Sequence, residues 1–318
     1  MILSIVFLIL GFIFLVKGAD FFVTGASSFG VKLKIPQIVI GLTVVAFGTS
    51  LPELFINVIG SIAKNNDIVL GNIVGSNIFN ILMILGVSAL IYPITAKKNT
   101  VWKEIPFVIL VSIILFVLSN DILFGEKEGV ISRGDGLILI IFMGYFLFYL
   151  YKLSKTGEIE EETIKDMPII KILLFIIIGI IGLVIGGNLV VESAVKIAKF
   201  FHLSDKIIAL TIISIGTGLP ELVTSVVAAS KKNSSIALGN IVGSNIFNIL
   251  LVIGVSSIIY PVKYSMEIYM FDYIILIVSS LILFVTMFLF KKSTITRVEG
   301  LMMILIYLVY IGYNVIKQ

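Results

Sequence analysis

Two glutamates, Glu53 and Glu221, stand inside stretches of chain that are otherwise almost wholly apolar. Each closes the same phrase, GTSLPE at residues 48–53 and GTGLPE at residues 216–221. Each phrase is followed at the same distance by LGNIVGSNIFNIL, repeated letter for letter at 70–82 and 238–250. The offset is 168 residues throughout, so residues 38–94 map onto 206–262 without a gap. A carboxylate at the centre of an apolar helix costs on the order of 3 kcal/mol to insert in a membrane, so two of them at matched positions demand a functional return. Gly48 and Pro52 bracket Thr49, Ser50 and Leu51. Proline removes a backbone donor and clashes with the carbonyl four residues back, here that of Gly48. This predicts a kink or break that frees carbonyls around residues 45–48 and leaves Glu53 at the start of the next half-helix. Gly216, Pro220 and Glu221 repeat the arrangement.

The repeated string supplies neutral oxygens. Ser76 and Asn80 are spaced i, i+4 and share a helix face, as do Asn72 and Ser76, with Asn77 one residue off that stripe. The second copy presents Asn240, Ser244, Asn245 and Asn248 in the same way. Gly71 with Gly75, and Gly239 with Gly243, have the i, i+4 spacing that permits close helix approach. Carboxylates, hydroxyls, amides and freed carbonyls together make an oxygen-rich cage, and hard cations such as Ca²⁺ take six to eight oxygen ligands. Two glutamates neutralise one divalent ion or compensate two or more monovalent ions, and that equivalence is the basis of exchange. Plain ion pairing competes with this reading, but no lysine or arginine lies within ten residues of Glu53, and Lys231 is ten residues from Glu221, near a span end. A lone Ser or Asn in a span is usually a helix–helix hydrogen bond, and Asn72, Asn77, Asn240 and Asn245 stand equally as ligands or as packing residues.

Such residues need a membrane scaffold, and the composition provides one. The 318 residues are 59% hydrophobic and only 13% charged, with a mean hydropathy of +1.17, where a soluble domain carries about a quarter charged residues. Runs such as 2–16, 107–118, 137–150, 172–184 and 273–290 are apolar all round, as in helices buried in lipid or a large core, and several approach the roughly 20 residues that cross a bilayer. The fold class expected is an all-α polytopic membrane protein with ten transmembrane helices, near 2–29, 37–62, 69–92, 105–119, 136–151, 171–199, 207–230, 236–259, 271–290 and 298–316. The absence of cysteine excludes disulfides, thiolate metal ligands and thiol redox chemistry. The small net charge of +4 sits mostly in connections and makes nucleic acid a poor partner. Met1 opens an apolar run without a basic n-region, which fits a first transmembrane helix better than a cleaved signal.

The repeat extends beyond the central phrases. Gly11, Gly18, Asp20 and Val23 map onto Gly179, Gly186, Asn188 and Val191, and Tyr92-Pro93 onto Tyr260-Pro261. Arg133-Gly-Asp-Gly and Arg297-Val-Glu-Gly precede the fifth and tenth spans at an offset of 164. Each half is thus a five-span unit, residues 1–150 and 171–318, joined by a hydrophilic linker at 151–170 that reads as exposed coil or a short surface helix. Five is odd, so the second half starts on the opposite side and the halves are inverted. With the N-terminus outside, the connections carry fourteen Lys and Arg inside and eight outside. The positive-inside rule then places both termini outside the cell membrane and the linker in the cytoplasm. Inverted repeats characterise secondary transporters, with the site near the bilayer midplane, and no GxxxxGK[ST] phrase supports direct ATP coupling.

Other charges read as structural. Lys17 and Asp20 are spaced to pair or snorkel, Glu192 and Lys196 form an i, i+4 pair, and Asp135 and Glu299 sit at helix starts where an acid complements the dipole. His202, the only histidine, lies in a connection and offers neither a proton relay nor a zinc site.

GTSLPE followed by GNIVGSNIFN, twice in inverted halves, resembles the two α-repeats of the cation/calcium exchanger superfamily, most closely its prokaryotic sodium/calcium exchanger branch. The resemblance covers the whole chain in span number. It implies a ten-helix fold in which spans two, three, seven and eight enclose a diamond of ion sites, and alternating access in which spans one and six slide past that core. Carried over residue by residue, it implies as ion ligands the Ala46 carbonyl, Thr49, Ser50, Glu53, Ser76 and Asn80, with Thr217, Glu221 and Ser244 in the second repeat. Three positions depart from the pattern. Ser214 replaces the usual Ala, which matters little if its carbonyl binds. Gly218 replaces Ser and deletes a hydroxyl from a sodium site. Asn248 stands where some relatives, including potassium-dependent ones, have Asp, which argues against potassium dependence. The leading expectation is antiport of Ca²⁺ against Na⁺ with no cofactor and no obligate protein partner. Proton/calcium antiport through the same glutamates is the alternative. A channel would leave the inverted duplication unexplained, and no nucleophile–base pair or HExxH phrase supports an intramembrane hydrolase.

Overall fold

The structure is a computed structural model, which describes residues 2–120, 129–156, 167–201 and 214–317. It is helical apart from two short two-stranded ribbons. Among the described residues seven helices are long and apolar enough to cross a bilayer, or eight if Gln37–Thr49 and Leu51–Ile62 count as one bent span. Ten were expected. The difference falls on two segments: Leu219–Ser230 is shorter, with its expected beginning at 207–213 outside the described residues, and Arg297–Lys317 carries Arg297, Glu299, Asn314 and Lys317 along its 21 residues. Much of the outer surface is apolar, with Ile141, Ile170 and Val309 each about 70% exposed or more, as a lipid-facing wall requires. The helix Arg133–Thr156 runs six residues into the expected linker, and 157–166 and His202 lie outside the described residues.

The two longest helices, Ile2–Leu33 and Ile169–Phe200, pack on one another along a glycine seam. A Cβ on Gly11 would lie 3.0 Å from the Gly186 carbonyl oxygen, and one on Gly18 3.0 Å from that of Gly179. The repeat makes Gly11 equivalent to Gly179 and Gly18 to Gly186, and the four touch crosswise, Gly11 meeting Gly186 and Gly18 meeting Gly179. Beside the seam, Asp20 Oδ1 meets Lys231 Nζ at 2.6 Å, and Lys231 also donates to Thr24 Oγ1 at 2.6 Å. The expected Lys17 partner is therefore replaced by a lysine 211 residues away, because the end of Leu219–Ser230 lies against the first helix. Both side chains are partly exposed, 35% and 49%, and an exposed pair contributes about 1 kcal/mol or less. Asp20→Asn is expected to shift the detergent melting curve by no more than that and to leave ion flux near normal. A severalfold loss of flux would place Asp20 in transport instead.

The remaining expectations about charge hold. Glu192 Oε2 and Lys196 Nζ are 3.7 Å apart on an exposed helix flank. Asp135 accepts from the Ser132 backbone N–H at 2.8 Å, and Glu299 from that of Thr296 at 2.6 Å, each closing the first turn of a helix.

Contacts across the chain come in matched sets. Strand β1 (Ile94–Thr95) pairs with β4 (Thr294–Ile295), and β2 (Gly129–Ile131) with β3 (Val262–Tyr264), both antiparallel. Arg133 donates to the Ile259 carbonyl and Arg297 to the Ile91 carbonyl, each at 3.5 Å. Ser112 and Ser280, one repeat apart, lie 3.4 Å from each other. The helices carrying the repeated string also begin alike: Asn65 and Asn233 cap them by accepting the Ile68 and Ile236 N–H groups. Directly before the caps, Lys64 and Lys232 hold φ values of 58° and 61°. That left-handed turn reverses the chain between the glutamate helix and the repeated string.

Candidate cation site

The expected break lies at Ser50. Helix Gln37–Thr49 ends there and Leu51–Ile62 begins, bent by 47°. Pro52 stands in the first turn of the new helix, where its missing N–H costs nothing, and Glu53 shares that turn, at the positive end of the helix dipole. In the second half Ser214–Thr217 and Leu219–Ser230 meet at Gly218, with Glu221 in the first turn. Ser50 and Gly218 have nearly the same backbone, φ −83° and ψ 5° against φ −83° and ψ 2°. One local geometry thus presents both carboxylates, and both are 1% exposed.

The carbonyls upstream are less free than the sequence suggested. Ala46 O accepts from the Ser50 N–H at 3.0 Å and the Thr49 hydroxyl at 3.3 Å, and Val45 O accepts from Thr49 at 3.2 Å. The Thr49 hydroxyl bends back within reach of both carbonyls and the Ser50 N–H meets that of Ala46, leaving the Gly48 carbonyl as the one that proline deprives of its donor. Ser214 opens the described helix Ser214–Thr217, and its side chain lies outside the description.

The hydroxyls tie the halves together. Ser50 Oγ donates to Glu221 Oε1 at 3.2 Å, and Thr49 Oγ1 to Asn240 Oδ1 at 3.0 Å. Asn240 donates to Ser225 Oγ at 2.9 Å and to the Glu221 carbonyl at 3.4 Å. The counterpart chain runs from Thr217 Oγ1 to Asn72 Oδ1 at 3.5 Å, from Asn72 Nδ2 to Asn57 Oδ1 at 2.8 Å, and from Asn57 Nδ2 to the Val69 carbonyl at 3.1 Å. Asn72 and Asn240 are therefore both donors and acceptors in scaffolding chains behind the threonines. Sequence reasoning missed Asn57 and Ser225, although each stands one turn after a glutamate and they are a repeat apart. Asn77 and Asn245 meet near the centre: Asn77 Nδ2 donates to the Asn245 carbonyl at 3.1 Å, and Asn248 Nδ2 to Asn77 Oδ1 at 3.0 Å.

The helices of the repeated string widen into π-helical turns at Asn80–Ile84 and Asn248–Ile253. Such turns are frequent at functional sites because they redirect side chains and leave backbone groups short of partners. Asn80 and Asn248 begin them, so both amides stand where the helix changes pitch.

What remains unpaired defines the chemistry. Glu53 Oε2, Glu221 Oε2, Asn80 Oδ1, Asn248 Oδ1 and Ser244 Oγ are all buried and have no hydrogen-bond partner among the described residues. Buried polar groups are nearly always satisfied, and an orphaned one costs about 1–3 kcal/mol. With Asn245 Oδ1, which is likewise buried and unpartnered, six orphan oxygens on residues that the repeat singles out form an acceptor-rich set, and no lysine or arginine pairs with either glutamate among the described residues. Ser76 is buried on the same helix face. Such a set suits a cation, which brings charge and no lone pairs.

The close approach expected of both glycine pairs is found at one. A Cβ on Gly239 would lie 2.9 Å from Gly41 Cα, and one on Gly243 2.6 Å from Ala46 Cβ. Gly71 faces only Tyr269 Oη at 3.5 Å, and a Cβ on Gly75 would meet nothing within 4 Å among the described residues. Identical sequences thus sit in unlike surroundings, tight around the second copy and loose around the first.

The family model for the sodium/calcium exchanger protein matches residues 3–152 and 171–316. The putative antiporter CaxA of Alkalimonas amylolytica is 35% identical over 91% of this chain and 90% of its own length. The sodium/calcium exchanger MaX1 of Methanosarcina acetivorans is 32% identical over 90% of this chain and 91% of its own. A solved structure of the sodium-calcium exchanger NCX_Mj superposes with a TM-score of 0.83 at 35% identity, covering 98% of both chains. The family model breaks at the hydrophilic linker and resumes at the second long helix, so both halves match, and with them both glutamate phrases. This multi-pass helical membrane protein belongs to the sodium/calcium exchanger family.

Proposed function

We propose that the protein is a secondary antiporter that exchanges Ca²⁺ for Na⁺ by alternating access, with Glu53 and Glu221 shared by the competing ions. The observation that carries this reading is the set of five buried, unpartnered oxygens on Glu53, Glu221, Asn80, Asn248 and Ser244. Two carboxylates balance one divalent charge, and the amide and hydroxyl oxygens add ligands without adding charge. Thr49, Thr217, Ser50, Ser76 and the Ala46 and Ser214 carbonyls complete the ligand set in this proposal. Relatives called a sodium/calcium exchanger and a putative antiporter support it.

The matched contacts at offsets 168 and 164 support two five-span halves, 1–150 and 171–318, inverted about an axis near Asn77, Asn245, Ser112 and Ser280. In this arrangement ten spans cross the cell membrane, both termini face outward and the linker is cytoplasmic. The bilayer and inorganic cations are then the only partners the mechanism needs, and no bond is made or broken.

Uptake of ⁴⁵Ca into proteoliposomes, with Na⁺, K⁺ and H⁺ gradients imposed one at a time, tests the proposal. Uptake driven by an outward Na⁺ gradient is expected, and Ca²⁺ uptake that ignores Na⁺ sinks the sodium half of it. The specific observation that favours proton coupling instead is Gly218, because Ser50 donates to Glu221 while the equivalent position offers Glu53 no hydroxyl. Since Gly218 holds a φ of −83°, a serine there is free of backbone strain. Gly218→Ser is expected to raise the apparent Na⁺ affinity of Ca²⁺ flux severalfold. An unchanged Na⁺ dependence would show that this hydroxyl is not a ligand.

A further inference from the structure

Glu104 is a second kind of intramembrane carboxylate, remote from the cation site in the sequence and absent from its hydrogen-bond chains. It ends the π-helical turn Thr100–Glu104, about one turn inside the span Thr100–Ser119, and is 1% exposed. Its Oε1 accepts the Tyr149 hydroxyl, whereas its Oε2 is buried without a partner. One repeat later stands Asp272, whose Oδ1 accepts both Tyr310 Oη at 2.7 Å and Asn314 Nδ2 at 3.4 Å. At the offset of the last helices, Asn314 corresponds to Leu150, which has no donor to give. The first half therefore lacks an N–H group that the second half supplies.

A cavity of about 150 Å³ opens beside this carboxylate, lined by Lys103, Glu104, Phe107, Tyr145, Phe146 and Tyr149. Phe107 and Phe146 stack with centroids 5.4 Å apart, and Tyr145 lies 6.5 Å from Phe107. Aromatic faces around a carboxylate recognise an ammonium ion, through the ring quadrupole and through charge-assisted hydrogen bonds. Lys103, which lines the cavity, is exposed and puts one positive charge at it. Tyr145 and Trp102 are 63% and 58% exposed on the outer, apolar wall, the placement of residues at a membrane interface.

We propose that this cavity binds the head group of an aminophospholipid, its primary ammonium donating to Glu104 Oε2 among the aromatic rings and its phosphate facing Lys103. A primary ammonium brings three N–H donors, whereas choline brings none and leaves Oε2 unpaired. A free amine satisfies the carboxylate but has no phosphate for Lys103, and it does not come from the apolar outer wall on which Tyr145 and Trp102 stand.

The test is native mass spectrometry of the full-length protein in detergent with equimolar phosphatidylethanolamine and phosphatidylcholine. The wild type is expected to retain one phosphatidylethanolamine with a preference on the order of tenfold, as one charge-assisted hydrogen bond supplies, and Glu104→Gln to lose that preference. Tyr145→Ala, which keeps the carboxylate and removes one wall, is expected to weaken retention severalfold, and it decides the matter if Glu104→Gln does not fold. Equal retention of the two lipids by the wild type, or a preference that survives in both variants, overturns the site. Displacement of the lipid by an equal concentration of free ethanolamine overturns the assignment to a lipid.

Discussion

Replacing either Glu53 or Glu221 by glutamine is expected to abolish Ca²⁺ exchange while leaving the protein folded. Glutamine keeps the volume and one carbonyl oxygen, so packing around two positions that are only 1% exposed is preserved. In the Glu221 variant the Ser50 hydroxyl, 3.2 Å from Oε1, still finds an acceptor. What disappears is one of two negative charges in a site that lacks any paired cation among the described residues. A hydrogen bond or ligand contact to a buried charge is worth on the order of 3 kcal/mol. One charge lost thus weakens ion binding by about a hundredfold or more. The fold itself need not suffer, because a buried carboxylate costs more than the neutral amide that replaces it. The measurement is ⁴⁵Ca flux in proteoliposomes, beside a detergent melting curve for each variant. Near-normal flux in either variant would overturn the site, and a collapsed melting curve would show that the charge holds the fold rather than the ion.

Much of this was legible in the sequence, and the reasons are local. The break at Ser50 and Gly218 follows from a proline that fits only a helix start, and the pairing of the halves follows from a repeat strict enough to leave 13 residues identical. Glu53, Glu221, Asn80, Asn248 and Ser244 were singled out by residue type in an apolar setting, and each is left with an unpartnered oxygen. What stayed hidden depends on contacts that no spacing rule encodes. Lys231 reaches Asp20 because two distant helices converge, so a search confined to one helix finds Lys17. The Val45 and Ala46 carbonyls are met by the side chain at Thr49, a choice that the broken helix leaves open. Glu104 and Asp272 occupy equivalent positions, yet one is glutamate and the other aspartate, and their tyrosine partners sit on other helices. The two copies of the repeated string hold no information at all about why their surroundings differ.

That difference yields the second large effect. Gly75 and Gly243 occupy the same place in identical strings, yet alanine is expected to behave oppositely at the two. A Cβ on Gly243 would lie 2.6 Å from Ala46 Cβ and 3.0 Å from both Leu42 Cα and the Leu42 carbonyl oxygen. Two of those three atoms are backbone, so no side chain can swing aside and the helices must part. Overpacking of this kind costs about 1–3 kcal/mol, and more where backbone has to move. At Gly75 the added methyl meets nothing within 4 Å among the described residues, and alanine's better helix propensity is worth up to about 1 kcal/mol. Gly243→Ala should therefore lower the melting temperature by several degrees, while Gly75→Ala leaves it unchanged or raises it. Alternating access adds a further consequence. If the halves exchange roles between the two states, the helix of the first string must make in the other state the close approach that the second string makes in this one. Gly75→Ala then blocks that state without harming this one, and Ca²⁺ flux falls at least tenfold in a protein that is no less stable. Normal flux from a stable Gly75→Ala variant would mean that the first string never packs as tightly as the second, and the exchange of roles between the halves would have to be abandoned.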